Sequence, residues 1–419
     1  NKSLIDTVSG RNLITFTRPQ SNYRSTYVGS DGLIKYAAAD EPRFDHNPIT
    51  GICNGLLVEE SRTNLCLNTS TASGGFETSY TTQSYGVAPD GTTTSIRWTP
   101  PAGGLQYIRI FPSVTSGTQY TCSIFLKGSS TIQVAPDSQL GGGLGYGSID
   151  LSTNTTTGYA DGVKVDRFPN GWIRLSFQKT AIGTGTGQIS LINYNSQAAD
   201  IQFWGAQVEA GSFPTSYIPT SGSTVTRSAD AASITGTNFS SWYNQSEGTI
   251  FSDATLEFSL SNPSIFPDIY ISGSYPDRLW SLYLLNGINR LTAGADTHST
   301  TLATFASSPQ SFKVAQALSN TSLAYGVSKD GETVLTGSLS KSITNTTSIS
   351  FGGISGAVKK IRRLTYYPKR LSNTYLRGLT SQKNNTVTYG SDYGAPTLDL
   401  NFARNKSLND TMTGRNLIT

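Results

Sequence analysis

The chain has 419 residues, with 31 Lys and Arg against 27 Asp and Glu, 42 Gly, 3 Cys and a single Met. That length fits two or three domains, and a 36% hydrophobic content is enough for real cores. A charged fraction of 14% excludes an acidic disordered chain or a coiled coil, and a net charge of +4 is too dilute for nucleic-acid binding. No apolar run approaches the roughly 20 residues that span a bilayer, so no membrane insertion is expected. The only methionine is Met412 and the chain opens on Asn1 with no signal peptide; it reads as a processed product or an excerpt of something longer.

Residues 1–15, NKSLIDTVSGRNLIT, return at 405–419 as NKSLNDTMTGRNLIT, identical at twelve of fifteen positions. The changes are Ile5 to Asn409, Val8 to Met412 and Ser9 to Thr413. Three readings stand open: a duplicated terminal tag, one period of a tandem-repeat fibre, or equivalent strands of which one docks into a neighbouring copy. Asn1, Leu4 and Leu13, with Asn405, Leu408 and Leu417, mark the repeat and assembly segments. The last two readings make copies of the chain its own partners.

The patterning is almost wholly β. Tyr120, Cys122, Ile124 and Leu126 alternate with Thr121, Ser123, Phe125 and Lys127. Ile173, Leu175 and Phe177, and then Leu256, Phe258 and Leu260, repeat the period of two that marks half-buried antiparallel strands. Asp31-Gly32, Asp90-Gly91 and Asp330-Gly331 supply turns between such runs. One short helix is expected over 373–380, with Ser372 as its cap and Leu376 and Leu379 facing inward. The fold class is therefore all-β: tandem antiparallel sandwiches of jelly-roll type, a small leading β module and one helix. The expected divisions are a β module at 1–66, a jelly roll at 67–228, a second sandwich at 229–382 and the start of a further repeat at 383–419. The Gly-rich stretch from Gly141 to Gly147 interrupts the first sandwich, and Pro219–Ser223 links it to the second.

Three long stretches carry a resemblance: 16–65 (FTRPQSNYRSTYVGSDGLIKYAAADEPRFDHNPITGICNGLLVEESRTNL), 203–230 (FWGAQVEAGSFPTSYIPTSGSTVTRSAD) and 359–380 (KKIRRLTYYPKRLSNTYLRGLT). They resemble phage virion structural and tail-fibre proteins of marine cyanophage type. The second closes a carbohydrate-binding-module-like jelly roll, the third a concanavalin/laminin-G-like domain. The Cys53 and Cys66 pair departs from that pattern. The resemblance implies a non-enzymatic structural and adhesive module that presents lectin-like surfaces to a bacterial envelope, on a virion or other extracellular surface. The alternatives are a bacterial cell-surface adhesin or filament subunit, and a spacer with no ligand.

The chemistry-bearing residues agree with a non-enzyme. Adjacent Glu59 and Glu60 face opposite sides of a strand and cannot act as a hydrolytic pair, and Glu257 stands alone where several acids are needed. His46 and His298 sit in different modules, and His46 fits a hydrogen-bonded turn. Three cysteines cannot all pair; Cys53 and Cys66 could bridge or stay reduced, and Cys122 fits a buried thiol. Zinc lacks any Cys/His spacing, and no cofactor is expected. A structural calcium is left open near Asp137, Asp150, Asp161 or Asp200, which show no ligand spacing and read first as structural carboxylates. For a surface glycan, Tyr107 and Arg109 share one strand face, and Tyr146 and Tyr194 lie in or beside polar loops; together they form the candidate platform. Trp98, Trp172 and Trp204 read as core. Lys359, Lys360, Arg362 and Arg363, with Lys369 and Arg370, read as a solvated edge strand that discourages wrong pairing.

Overall fold

The computed structural model describes residues 4–19, 25–69, 76–78, 83–103, 106–142, 146–158, 162–193, 198–258, 270–272, 279–284, 290–295, 298–304, 309–329, 335–340, 346–352, 357–381 and 395–403. Asn1, Tyr194, Asn405, Leu408, Leu417, Asp161 and the Asp330-Gly331 turn lie outside them. The protein is all-β, and its strand pairs are antiparallel.

The first sandwich has two sheets. One runs through Thr131–Ser138, Gly185–Asn193 and Gln106–Ile110; the other runs through Ile173–Thr180, Gln119–Gly128 and Ile201–Ala210. Ile108, Val134 and Leu191 meet Ile124, Leu126, Leu175 and Phe203 between them, as the period of two requires. Trp98 joins this core, and the free thiols of Cys66 and Cys122 are buried in it. Burial pushes the Cys66 thiol up to about 12, so it is an inert apolar group. Cys53 is also a buried thiol, its Sγ donating to the Phe402 carbonyl at 3.3 Å.

The second face of Gln119–Gly128 is not solvated. Phe125 packs there with Trp172, Trp204, Phe168 and Tyr217, beneath Ile34 from the hairpin of Ser25–Val28 and Ile34–Ala37. A register shift between Ser123 and Phe125 opens this face. Gly205 lies opposite in a left-handed conformation (φ 62°), where a Cβ would come to 3.0 Å from Phe125. The hairpin turns at Asp31-Gly32 as its sequence demands. Gly32 has φ 78°, and a Cβ there would stand 2.2 Å from the Pro48 carbonyl oxygen.

The second sandwich draws on the whole chain. One sheet is ordered Leu335–Leu339, Leu323–Lys329, Gln310–Ser319, Glu247–Phe258, Ala357–Tyr367, Cys53–Glu59 and Arg43–His46, with Leu398–Asn401 also on Ala357–Tyr367. Its partner begins Thr15–Thr17, Ala231–Thr235, Ser348–Gly352 and continues through four more strands to His298–Thr304. Phe16, Leu56, Val58, Ile234, Ile250, Phe351, Leu364 and Leu398 share the core between them. Strands from 15–17, 43–46, 53–59 and 398–401, beyond the expected divisions at 66 and 383, lie in the two sheets of this sandwich. The physical reason is visible in Leu56-Leu57-Val58, a continuous apolar run buried on both faces, since Leu57 packs against Phe213 and Val358 on the other side.

The helix forms over Asn373–Ser381, with Leu376 and Leu379 seated on Ala315, Ala317 and Ala324, whose small side chains make room. A five-residue helix at Gly236–Ser240 adds to it. The basic run is not an edge. Ala357–Tyr367 pairs on one side with Glu247–Phe258 and on the other with Cys53–Glu59 and Leu398–Asn401. Its cations are absorbed in ion pairs: Lys360 with Asp45 at 2.8 Å, Arg362 with Asp253, and Arg363 with Asp399 at 2.8 Å.

Candidate functional site

The leading segment meets residues 227–230 at a buried ion network. Arg18 reaches Asp230 at 3.0 Å, Arg43 reaches Asp230 at 2.5 Å and Glu59 at 2.7 Å, and Arg227 reaches Glu59 at 3.0 Å; all five side chains are at most 1% exposed. The Ser216 N–H and hydroxyl both donate to Glu59 at 2.7 Å, and the Glu59 N–H donates to Asp230 at 2.8 Å. Glu209 stands beside them, accepting from the Thr215 N–H and hydroxyl at 2.8 and 2.6 Å. Three arginines face three carboxylates, which is how charge survives in a dry interior. Glu60 points the other way, to Arg62 at 2.5 Å, as strand alternation predicts.

Burial alone would raise the Glu59 carboxyl, but Arg227, Arg43 and the Ser216 bonds outweigh it and hold it at about 2. Because the folded value lies below the usual 4.5, this stabilisation is complete above pH 4.5 and is lost as pH falls toward 2. It amounts to about 3 kcal/mol. Urea unfolding at pH 5 and pH 2.5 should show a loss of that size, and Glu59→Gln should be less stable at pH 5 yet lose less on acidification.

Next to the network lies a cleft of about 490 Å³. The strand Arg43–His46 supplies two consecutive lining residues, Asp45 and His46, because a register shift between them turns both to the same side. Asp45 accepts from the Val28 N–H at 3.0 Å and from Asn54 at 3.2 Å, besides its Lys360 ion pair. His46 is 3% exposed; its Nδ1 bonds the Val28 carbonyl at 2.7 Å, which makes Nδ1 the donor. Nε2 is then an acceptor, buried without a protein partner. Across the cleft, Lys164 binds Glu257 at 3.1 Å and Asp166 at 3.2 Å. Burial opposes the Lys164 charge, yet Glu257 and Asp166 outweigh it and hold the ammonium above its usual value. Tyr27, Phe168 and Val358 contribute apolar wall, and Asn47 caps its own turn by accepting from the Ile49 and Thr50 N–H groups at 2.9 Å.

Three of the four residues of the sequence platform are described. Tyr107 and Arg109 do share a face, with the guanidinium 3.7 Å from the ring centroid, while Ile108 and Ile110 point into the core. Tyr146 lies on the core side instead. Its ring packs 5.8 Å from Phe177 under Lys179, and its hydroxyl donates to the Gln178 carbonyl at 3.1 Å. Tyr194 falls outside the described residues. Asp150 accepts from Ser152 and Thr153 in a local turn and Asp200 pairs with Arg97, leaving both as structural carboxylates; Asp137 accepts from the Ser138 N–H. Among the described residues no three His, Cys, Asp or Glu side chains are grouped to hold a metal ion. The cleft carries no sequence signature, since it is built from 26–59, Phe125, 164–174, 214–217, 255–257, Pro309 and 358–360.

No protein-family model matches the chain, and no curated protein matches it significantly. Among solved structures it is similar to botulinum neurotoxin type C, whose uptake into cells depends on two ganglioside molecules, at 14% identity and a TM-score of 0.25 over 38% of this chain and 42% of that one. It is also similar to the N-terminal CBM22-1-CBM22-2 tandem domain of a Paenibacillus barcinonensis protein, at 8% identity and a TM-score of 0.25 over 79% and 94% of the two chains. A TM-score of 0.25 lies below that of a shared topology.

Proposed function

We propose that this chain is a non-enzymatic structural and adhesive module of a repeated virion fibre or tail protein, and that it takes a neutral bacterial envelope glycan in the junction cleft. The observation that carries the reading is the cleft's chemistry. Its lysines are already matched, Lys164 with Asp166 and Glu257 and Lys360 with Asp45, and Arg174 donates to the Thr215 carbonyl and the Ser123 hydroxyl at 2.8 and 2.9 Å, so its carboxylates offer no free acid–base pair. What it offers is apolar ring wall beside unspent polar capacity at His46 Nε2, which suits a hydroxyl-rich ligand. Weak sites of this kind gain avidity from repetition along a fibre.

An array of envelope polysaccharides tests the reading. Binding is expected, and His46→Ala should weaken it about tenfold by removing one buried acceptor. Tyr107→Ala should leave it unchanged. Failure to bind any envelope glycan would favour the second reading, a spacer without ligand. That reading draws support from the ion network, which spends charged residues of two of the three resembling stretches, 16–65 and 203–230, on packing.

A further inference from the structure

The first copy of the repeated motif occupies a defined seat. Asp6 accepts from the Val8 and Ser9 N–H groups at 3.2 and 2.7 Å, the Gly10 N–H returns to the Asp6 carbonyl at 2.9 Å, and Gly10 takes φ 69°. This compact turn sets Leu4, Leu13 and Ile14 into the second sandwich core beside Leu398, Leu400 and Phe402. Polar clips fix its register. The Asp399 N–H donates to Asp6 Oδ1 at 2.8 Å, the Thr7 N–H donates to the Asp399 carbonyl at 2.9 Å, and Arg11 donates to Asn238 at 3.1 Å.

The three positions at which the copies differ are exposed ones. Ile5 is 45% exposed, Val8 40% exposed, and Ser9 is exposed with its hydroxyl accepting from the Arg11 N–H, a bond that a threonine hydroxyl also makes. The contacting residues Leu4, Asp6, Thr7, Gly10, Arg11, Leu13 and Ile14 recur unchanged as Leu408, Asp410, Thr411, Gly414, Arg415, Leu417 and Ile418. The second copy carries each of these buried side chains and polar clips.

We propose that residues 405–419 seat in this site on a second copy of the chain, displacing its residues 4–14 and joining copies head to tail. The proposal rests on the assembly half of the function proposed above and is independent of the glycan half. The contact is heterologous, so it passes from copy to copy, closing into a ring only where its rotation does. The resident motif is tethered at an effective concentration of about millimolar, so exchange is weak in the intact chain and rises once the resident motif is spoiled.

The same substitution therefore has opposite effects in the two copies. In sedimentation velocity, Leu13→Asp should shift the full chain from 44.8 kDa toward a concentration-dependent ladder of multiples. Leu417→Asp should stay monomeric, and the Leu13→Asp/Leu417→Asp double variant should lose the ladder. A synthetic 405–419 peptide should dissolve the ladder and raise the melting temperature of Leu13→Asp. If Leu13→Asp does not fold, Asp6→Ala, which removes only polar clips, takes its place in the same series. A ladder that survives Leu417→Asp, or no ladder in either opened variant, overturns the proposal. So does a monomeric Leu13→Asp that Leu417→Asp further destabilises, which would place the second copy in its own chain's seat. None of these readouts involves glycan binding.

Discussion

Asp230→Asn is expected to cost about 3–5 kcal/mol of stability, the range for removing one partner of a buried ion pair. The substitution keeps shape and removes charge, leaving the Arg18 and Arg43 guanidinium groups, both wholly buried, without the carboxylate they share. Each arginine also donates to backbone carbonyls, Arg18 to Ala38 and Glu41 at 2.6 and 2.9 Å and Arg43 to Thr26 at 2.8 Å. Those bonds orient the cations and do not neutralise them. Because Arg18 and Arg43 belong to the leading segment and Asp230 follows the first sandwich, the loss should loosen the joint between them. Chemical denaturation at pH 7 measures it; a change under 1 kcal/mol would mean that water reaches the network.

The second large effect is expected at Trp204. Trp204→Ala removes a 2% exposed side chain set 5.5 Å from Phe125 and 4.4 Å from Tyr217, and should cost about 3–5 kcal/mol. Trp98→Ala should cost a similar amount from the inter-sheet core of the first sandwich. The two differ in what they release. Trp204 supports the hairpin of Ser25–Val28 and Ile34–Ala37 through Ile34, so only Trp204→Ala should speed amide exchange in that hairpin. Equal acceleration by both substitutions would show that the hairpin depends on the whole sandwich and not on this face.

The parts of the fold legible in the sequence are those set by local periodicity. Alternation placed Ile124, Leu126, Ile173, Leu175 and Leu256 on core faces, Asp31-Gly32 turned its hairpin, and Leu376 and Leu379 faced inward from their helix. Period two reports one face only, so it missed the aromatic layer on Phe125 and the burial of Thr121 and Ser123 on the same strand. It was also blind to which distant strand pairs with which. Lys359 to Arg363 looked like an edge because charge is usually solvated; here Asp45, Asp253 and Asp399 wait on neighbouring segments for Lys360, Arg362 and Arg363. The cleft was invisible for the same reason, its residues being tens to hundreds of positions apart in the chain. Tyr107 and Arg109 were legible as neighbours because strand alternation fixes i and i+2 on one face. Tyr146 was not, since a loop residue's side depends on the packing that follows it.

The leading segment, the first sandwich and the second sandwich are joined through Glu59 and Asp230, with the cleft at the joint. Calorimetric unfolding of the intact chain beside Asp230→Asn tests this most directly. One cooperative transition is expected for the intact chain, with calorimetric and van't Hoff enthalpies in agreement. In Asp230→Asn that transition should move down as a whole or split at the joint. Two independent transitions in the intact chain, neither moved by Asp230→Asn, would contradict it.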